Sequence, residues 1–378
     1  MTSHAPSRSC REMMWAMRGV VVVLGLAGSA CGFSAAPGTA LATDASIDAF
    51  VEPVPLDGPR ADWWDASYPF RRSISIDTTK LAGPLADFPV LVRLPPDSTL
   101  ADLRLVDSDN ATLVSFELDT QTAAETTLWV KLSLDPASMT KQLWLYSGNE
   151  AAAARSSGPS VFGAYASVNH LGDAVTDSSG HLHATTLPTA AAQAPGVRAS
   201  PLGQSRFFDG DDYMILADSA GMNLGQVMAA TAWIKVAQYT SGYQCVVCKA
   251  DEAWRLHRSN NGNGVGFGTS SGGSQDLNGN ISVNDGAWHH AAIVMDGTKK
   301  HLYVDGVEDA SVGYTKTLDN SMKLVRLGMN ETFNGRYWNG DIDEIRIIDV
   351  ARSAVWIAAE VLAVKDPAFV TLGPPETY

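Results

Sequence analysis

Trp288-His289-His290-Ala291-Ala292-Ile293-Val294-Met295-Asp296-Gly297, followed by Leu302-Tyr303-Val304-Asp305-Gly306, is the stretch on which the fold turns. Each apolar run is short and ends in Asp-Gly, a pair that accepts the positive backbone dihedrals of tight hairpin turns. Successive antiparallel strands are therefore expected across 288–306. The same grammar extends upstream to Trp233-Ile234-Lys235-Val236 and downstream to Gly340-Asp341-Ile342-Asp343-Glu344-Ile345-Arg346-Ile347. Strands that alternate buried and solvated residues are satisfied by two packed antiparallel sheets. Ser353 ahead of Ala354 to Val364, with Pro367 beyond, predicts one capped helix after the last of these strands. No fixed repeat period runs through the chain, which argues against a solenoid or propeller.

The 378 residues hold 33 Gly and 18 Pro, a composition of many turns between short elements. With 41 acidic and 27 basic residues the net charge is −14, so the electrostatic footprint of a nucleic-acid binder is missing and anionic lipid surfaces are poor partners. Four cysteines are too few for a disulfide scaffold and offer no paired C-x-x-C zinc motif.

Taken in order, Asn169-His170-Leu171, Asp177-Ser178-Ser179-Gly180, Phe207-Phe208-Asp209-Gly210, the three stretches above and Ala351-Arg352-Ser353 resemble the laminin G-like, concanavalin A-like jelly-roll family. That resemblance covers residues 165–375. A second segment, 63–162, carries Trp64, Tyr68-Pro69-Phe70-Arg71, Phe88-Pro89-Val90-Leu91-Val92, Leu103-Arg104-Leu105-Val106-Asp107 and Leu145-Tyr146-Ser147-Gly148-Asn149. It resembles the bacterial domain of unknown function 2341, which brings no activity with it. The expected fold class is all-β: a small β-sandwich-like module followed by a concanavalin A-like antiparallel β-sandwich, the jelly roll.

At the start of the chain Arg8, Arg11 and Arg18 precede the apolar run Gly19 to Ala27, the anatomy of an export signal over residues 1–30. The run is about half of the roughly 20 residues a spanning helix needs. Gly28-Ser29-Ala30-Cys31 resembles a bacterial lipoprotein cleavage box, which implies lipidation of Cys31; ordinary cleavage at the small residues is the alternative. Removing residues 1–30 takes away three Arg and one Glu and leaves a net charge of −16. Residues 31–62 are Ala-, Pro- and Asp-rich without periodicity, the composition of a disordered linker. The expected location is the outer membrane or cell surface as a lipoprotein, or the medium as a secreted protein.

Chemistry is sparse. Asp343 and Glu344, adjacent on a strand, are expected on opposite faces and so cannot flank a glycosidic bond together. The run D-x-D-E-x-R also lacks the two Glu positions of laminarinase-like jelly rolls. The resemblance implies instead a structural calcium held by Asp177 and Asp343, with carbonyls near Gly180. His289 and His290, also adjacent, diverge and cannot chelate one ion. Cys245 and Cys248 are either a local disulfide or two independent core residues. Tyr239, Tyr243 and Trp254 lie in or near turn-rich sequence and are the aromatics expected to stack on a ligand, whereas Trp338 is expected in the core. The expected function is non-enzymatic binding of carbohydrate or an extracellular protein at the cell envelope. The alternatives are a jelly-roll glycan hydrolase and a structural spacer.

Overall fold

A computed structural model describes residues 62–96, 102–121, 125–183, 185–216, 220–236, 238–270, 275–319 and 322–378. The leader, Cys31 and the linker through residue 61 lie outside the described residues. Everything described falls in one compact unit.

The jelly roll is two facing antiparallel sheets. The larger orders its strands Gly196–Ser200, Gly203–Asp209, Asn339–Ile348, Val227–Lys235, Trp288–Asp296, Lys299–Val304 and Val307–Gly313, and the short strand Ser167–Asn169 also pairs with Asn339–Ile348. The facing sheet orders Leu277–Asn278, Val265–Thr269, Trp254–Arg258, Cys245–Cys248, Val325–Leu327, Met214–Leu216 and Thr185–Thr186. Trp288–Asp296 pairs with Lys299–Val304 as the Asp-Gly signal requires. At the next turn Asp305 and Gly306 both take positive φ, 49° and 82°, the left-handed geometry that selects this pair.

The strand Val227–Lys235, VMAATAWIK, shows why its sequence is apolar almost throughout. Ala230, Ala232 and Ile234 point into the core between the two sheets, with Phe208, Leu256, Ile293 and Trp338. Ala229 and Trp233 point the other way, into a second core. A sheet buried on both faces loses the polar half of its alternation.

That second core belongs jointly to the jelly roll and the first module. The module has a sheet of Leu85–Leu94, Thr126–Leu134 and Phe116–Gln121, and another ordered Val370–Thr377, Phe70–Asp77, Thr140–Ser147, Arg104–Asp107 and Leu113–Val114. Val90, Leu91 and Trp129 pack with Trp233, Ala292 and Val294, and with Trp356 and Ile357 of the helix Ala354–Lys365. Ser353 caps this helix, its Oγ accepting from Trp356 N–H at 3.2 Å. The chain then returns to its beginning: Val370–Thr377 pairs along Phe70–Asp77, Phe70 opposite Thr377. The jelly-roll segment thus contributes the edge strand of the first module's sheet.

Candidate functional site

The loops at one end of the facing sheet form the first candidate. Trp254 and Leu256 alternate with Arg255 and His257 along their strand, and the alternation sends Trp254 inward, where it is 1% exposed in the sandwich core. Tyr239 is 9% exposed, packed edge-on against Trp338 and roofed by the Arg258 guanidinium 4.5 Å from its ring. Neither ring offers a stacking face, which corrects the sequence expectation for both. Trp338 is buried in the core.

Tyr243 is different. Its backbone is left-handed, φ 56°, and its half-buried ring lies beside His257 and 4.7 Å from the Arg336 guanidinium. Arg336 also stacks on Phe333 at 4.1 Å, and Phe333 is 44% exposed. Phe333, Arg336 and Tyr243 therefore form a surface stack of two rings about one guanidinium. Its base is fixed. Arg336 donates to Asp251 Oδ1 at 2.7 Å, and buried Gln244 donates to the Tyr337 carbonyl at 2.7 Å. Cys245 N–H donates to the Arg336 carbonyl at 3.0 Å. Cys245 and Cys248 are joined by a disulfide beneath these loops. Residues three apart on a regular strand face opposite ways, but pairing slips between Cys245 and Val247, and this bulge brings the two sulfurs to one side. Phe333 and Arg336 carried no sequence signal, because the stack joins loops some ninety residues apart.

Asp177 and Asp343, the residues expected to hold calcium, both accept hydrogen bonds from the protein. Asp177 Oδ1 accepts from Val168 and Ser179 N–H, both at 3.0 Å, and Oδ2 from His183 N–H at 3.3 Å, so its carboxylate organises its own loop. Asp343 is fully buried and accepts from Ser200 Oγ at 2.5 Å and Glu344 N–H at 2.8 Å. Burial and the adjacent Glu344 carboxylate push the Asp343 carboxyl well up.

A second group of residues gathers where the first module meets the larger sheet. Opposite Val227–Lys235, the register slips between Thr231 and Trp233, which face Arg346 and Asp343. Glu344 sits in this bulge with φ 48°. Ile342 and Ile345 both point into the sandwich, so Asp343 and Glu344 share the opposite face, contrary to the alternation expected from sequence. Their carboxylates are engaged rather than open. Glu344 accepts from Arg346 Nε at 3.1 Å and Nη2 at 3.0 Å, and its other oxygen meets His170 Nδ1. Arg346 also donates to Glu360 Oε1 at 3.1 Å.

His170 lies parallel to Trp129, the ring centroids 6.0 Å apart, and its Nε2 faces Glu117 Oε2 at 3.3 Å. Burial alone would lower its pKa; Asp119, Glu344 and Glu117 outweigh burial and raise it well above the ordinary value. Asp119, half-buried beside it, accepts from Trp129 Nε1 at 3.3 Å, and burial pushes its carboxyl up to about 6. A cleft of about 320 Å³ opens over this group, lined by Glu117, Asp119, His170, Asp173, Ser178 and Gln204. His289 and His290 diverge as the sequence implies. His289 bonds Asp305 at 2.7 Å and Asp285 at 3.0 Å, while buried His290 lies 3.4 Å from Glu360.

Residues 208–358 match the family model described as the concanavalin A-like lectin/glucanases superfamily, and residues 99–175 match that of a domain of unknown function, DUF2341. The two occur in the expected order. No curated protein matches the chain. Among solved structures, the binding domain of Paraclostridial Mosquitocidal Protein 1 is 13% identical with a TM-score of 0.45, the alignment covering 52% of this chain and 51% of that one. Domain 4 of AbnA, an extracellular arabinanase from Geobacillus stearothermophilus in complex with arabinotriose, is 19% identical with a TM-score of 0.43, over 50% of this chain and 92% of that one. The botulinum neurotoxin serotype G binding domain is 12% identical with a TM-score of 0.43, over 52% and 50%. This chain thus spans about half of the toxin domains it resembles.

Proposed function

We propose that this is a non-enzymatic, exported binding protein whose jelly roll recognises carbohydrate through the Phe333–Arg336–Tyr243 stack. The observation that carries this reading is the exposed ring of Phe333, 44% exposed, set with the half-buried ring of Tyr243 about one guanidinium. Flat apolar faces suit the C–H faces of sugar rings, and neighbouring polar groups fix their orientation. The match of 208–358 to a superfamily of lectins and glucanases supports the same class. The export leader and Cys31 add the cell envelope or its surroundings as the place of action.

The test is a glycan and polysaccharide array with the full chain, followed by calorimetry on each hit. Tyr243→Ala and Phe333→Ala are expected to weaken binding at least tenfold while leaving Tm within a few degrees. Retention of full affinity by both variants, or an array without hits, overturns the proposal.

A further inference from the structure

We infer that Asp119 and His170, which line the cleft between the first module and the larger sheet, form with buried Glu344 a site for one divalent transition-metal ion of the zinc or manganese class. One ligand atom from each of these three residues lies within 4.8 Å of the others, close enough to converge on a single ion with small side-chain shifts. The donors come from three separate places: Asp119 from the strand Phe116–Gln121, His170 from just after Ser167–Asn169, and Glu344 from the bulge in Asn339–Ile348. Bulges commonly re-aim a side chain toward a site, and this one turns Glu344 to the module junction instead of the opposite face.

Three features separate this group from an ordinary acidic cluster. The first is charge. Glu117, Asp119 and Glu344 surround His170, while Arg346 is divided between Glu344 and Glu360. Three carboxylates facing one imidazole make a mixed oxygen and nitrogen donor set of the kind that holds a divalent ion. The second is orientation. The imidazole packs against two rings that also touch each other: Trp129, parallel to it, and Phe162, centroid 5.5 Å away. Its Nε2 faces Glu117, whose other oxygen is held by Ser178 Oγ at 2.6 Å. A carboxylate on the distal ring nitrogen is the usual support of a metal-bound imidazole. The third is access. The cleft of about 320 Å³ leads from solvent to Asp119 and His170, leaving room for water or a ligand oxygen on the ion. One imidazole with two carboxylates favours zinc or manganese over calcium, which prefers an all-oxygen shell.

The experiment uses the tag-free full chain, stripped with chelator and titrated with Zn²⁺, Mn²⁺ and Ca²⁺ by calorimetry, with metal content measured after dialysis. One equivalent of Zn²⁺ or Mn²⁺ is expected, with no saturable calcium binding at the same site. Asp119→Asn leaves the His170, Glu344 and Arg346 contacts in place and is expected to weaken binding at least tenfold. His170→Gln is expected to abolish it. The group of exposed Asp209 and Asp211 with buried Asp212 is a rival all-oxygen site, and binding there would survive both substitutions. Metal retained equally by both variants, or no metal on the wild type, overturns the inference. If His170→Gln fails to fold, Asp119→Asn alone decides. Glycan binding through Tyr243 is read separately, so failure of either proposal is distinguishable from failure of the other.

Discussion

Asp305 shows how much one residue of a turn can organise. Its carboxylate accepts from His289 Nδ1 at 2.7 Å, His290 N–H at 3.0 Å and Lys365 Nζ at 2.8 Å, tying a hairpin to the helix Ala354–Lys365. Hydrogen bonding to Asp305 raises the His289 pKa, with burial opposing and Asp285 assisting. A raised imidazole pKa gives stability that is complete below the unfolded value of about 6.5 and fades as pH rises through the folded value. His289→Asn is therefore expected to cost more at pH 5.5 than at pH 8.5. The difference should be up to about 1 kcal/mol, the scale of a partly exposed ion pair. Urea unfolding of the two proteins at both pH values checks this, and an equal cost at both would refute it.

Elements inherit their geometry from such residues. The helix Ala354–Lys365 starts where Ser353 accepts the Trp356 N–H, so Ser353→Ala should lower unfolding free energy by about 1 kcal/mol, within a range of roughly 0.5 to 2. Thermal or denaturant unfolding measures it, and Ser353→Asp, which caps equally well, should restore the loss. Bulges matter more for function than the helix does. The slip in Cys245–Cys248 brings its two cysteines together, and the slip in Asn339–Ile348 sends Glu344 to His170. Strict alternation, the rule that served the hairpin at 288–306, fails at both places because one extra residue inverts the face of everything that follows locally.

At the scale of the molecule, the larger sheet is a central layer with a core on each face, and Val370–Thr377 closes the first module's sheet. Deleting residues 370–378 uncovers the strand Phe70–Asp77 and is expected to destabilise the whole described unit, read as a lowered Tm in one cooperative transition. Two well-separated transitions in the intact protein would contradict the shared core. The sandwich, its Asp-Gly hairpins, the capped helix and the divergence of His289 and His290 were legible in the sequence. Each rests on local dihedral preference or on period-two alternation within one segment. The burial of Trp254, the stack of Phe333, Arg336 and Tyr243, and the meeting of Asp119 with His170 and Glu344 were not. Those depend on which strands adjoin, on single-residue slips in register, and on a first module covering a face that alternation alone would leave to water. Local chemistry determines what each segment becomes, whereas contacts between residues tens to hundreds of positions apart are settled only when the sheets close on one another.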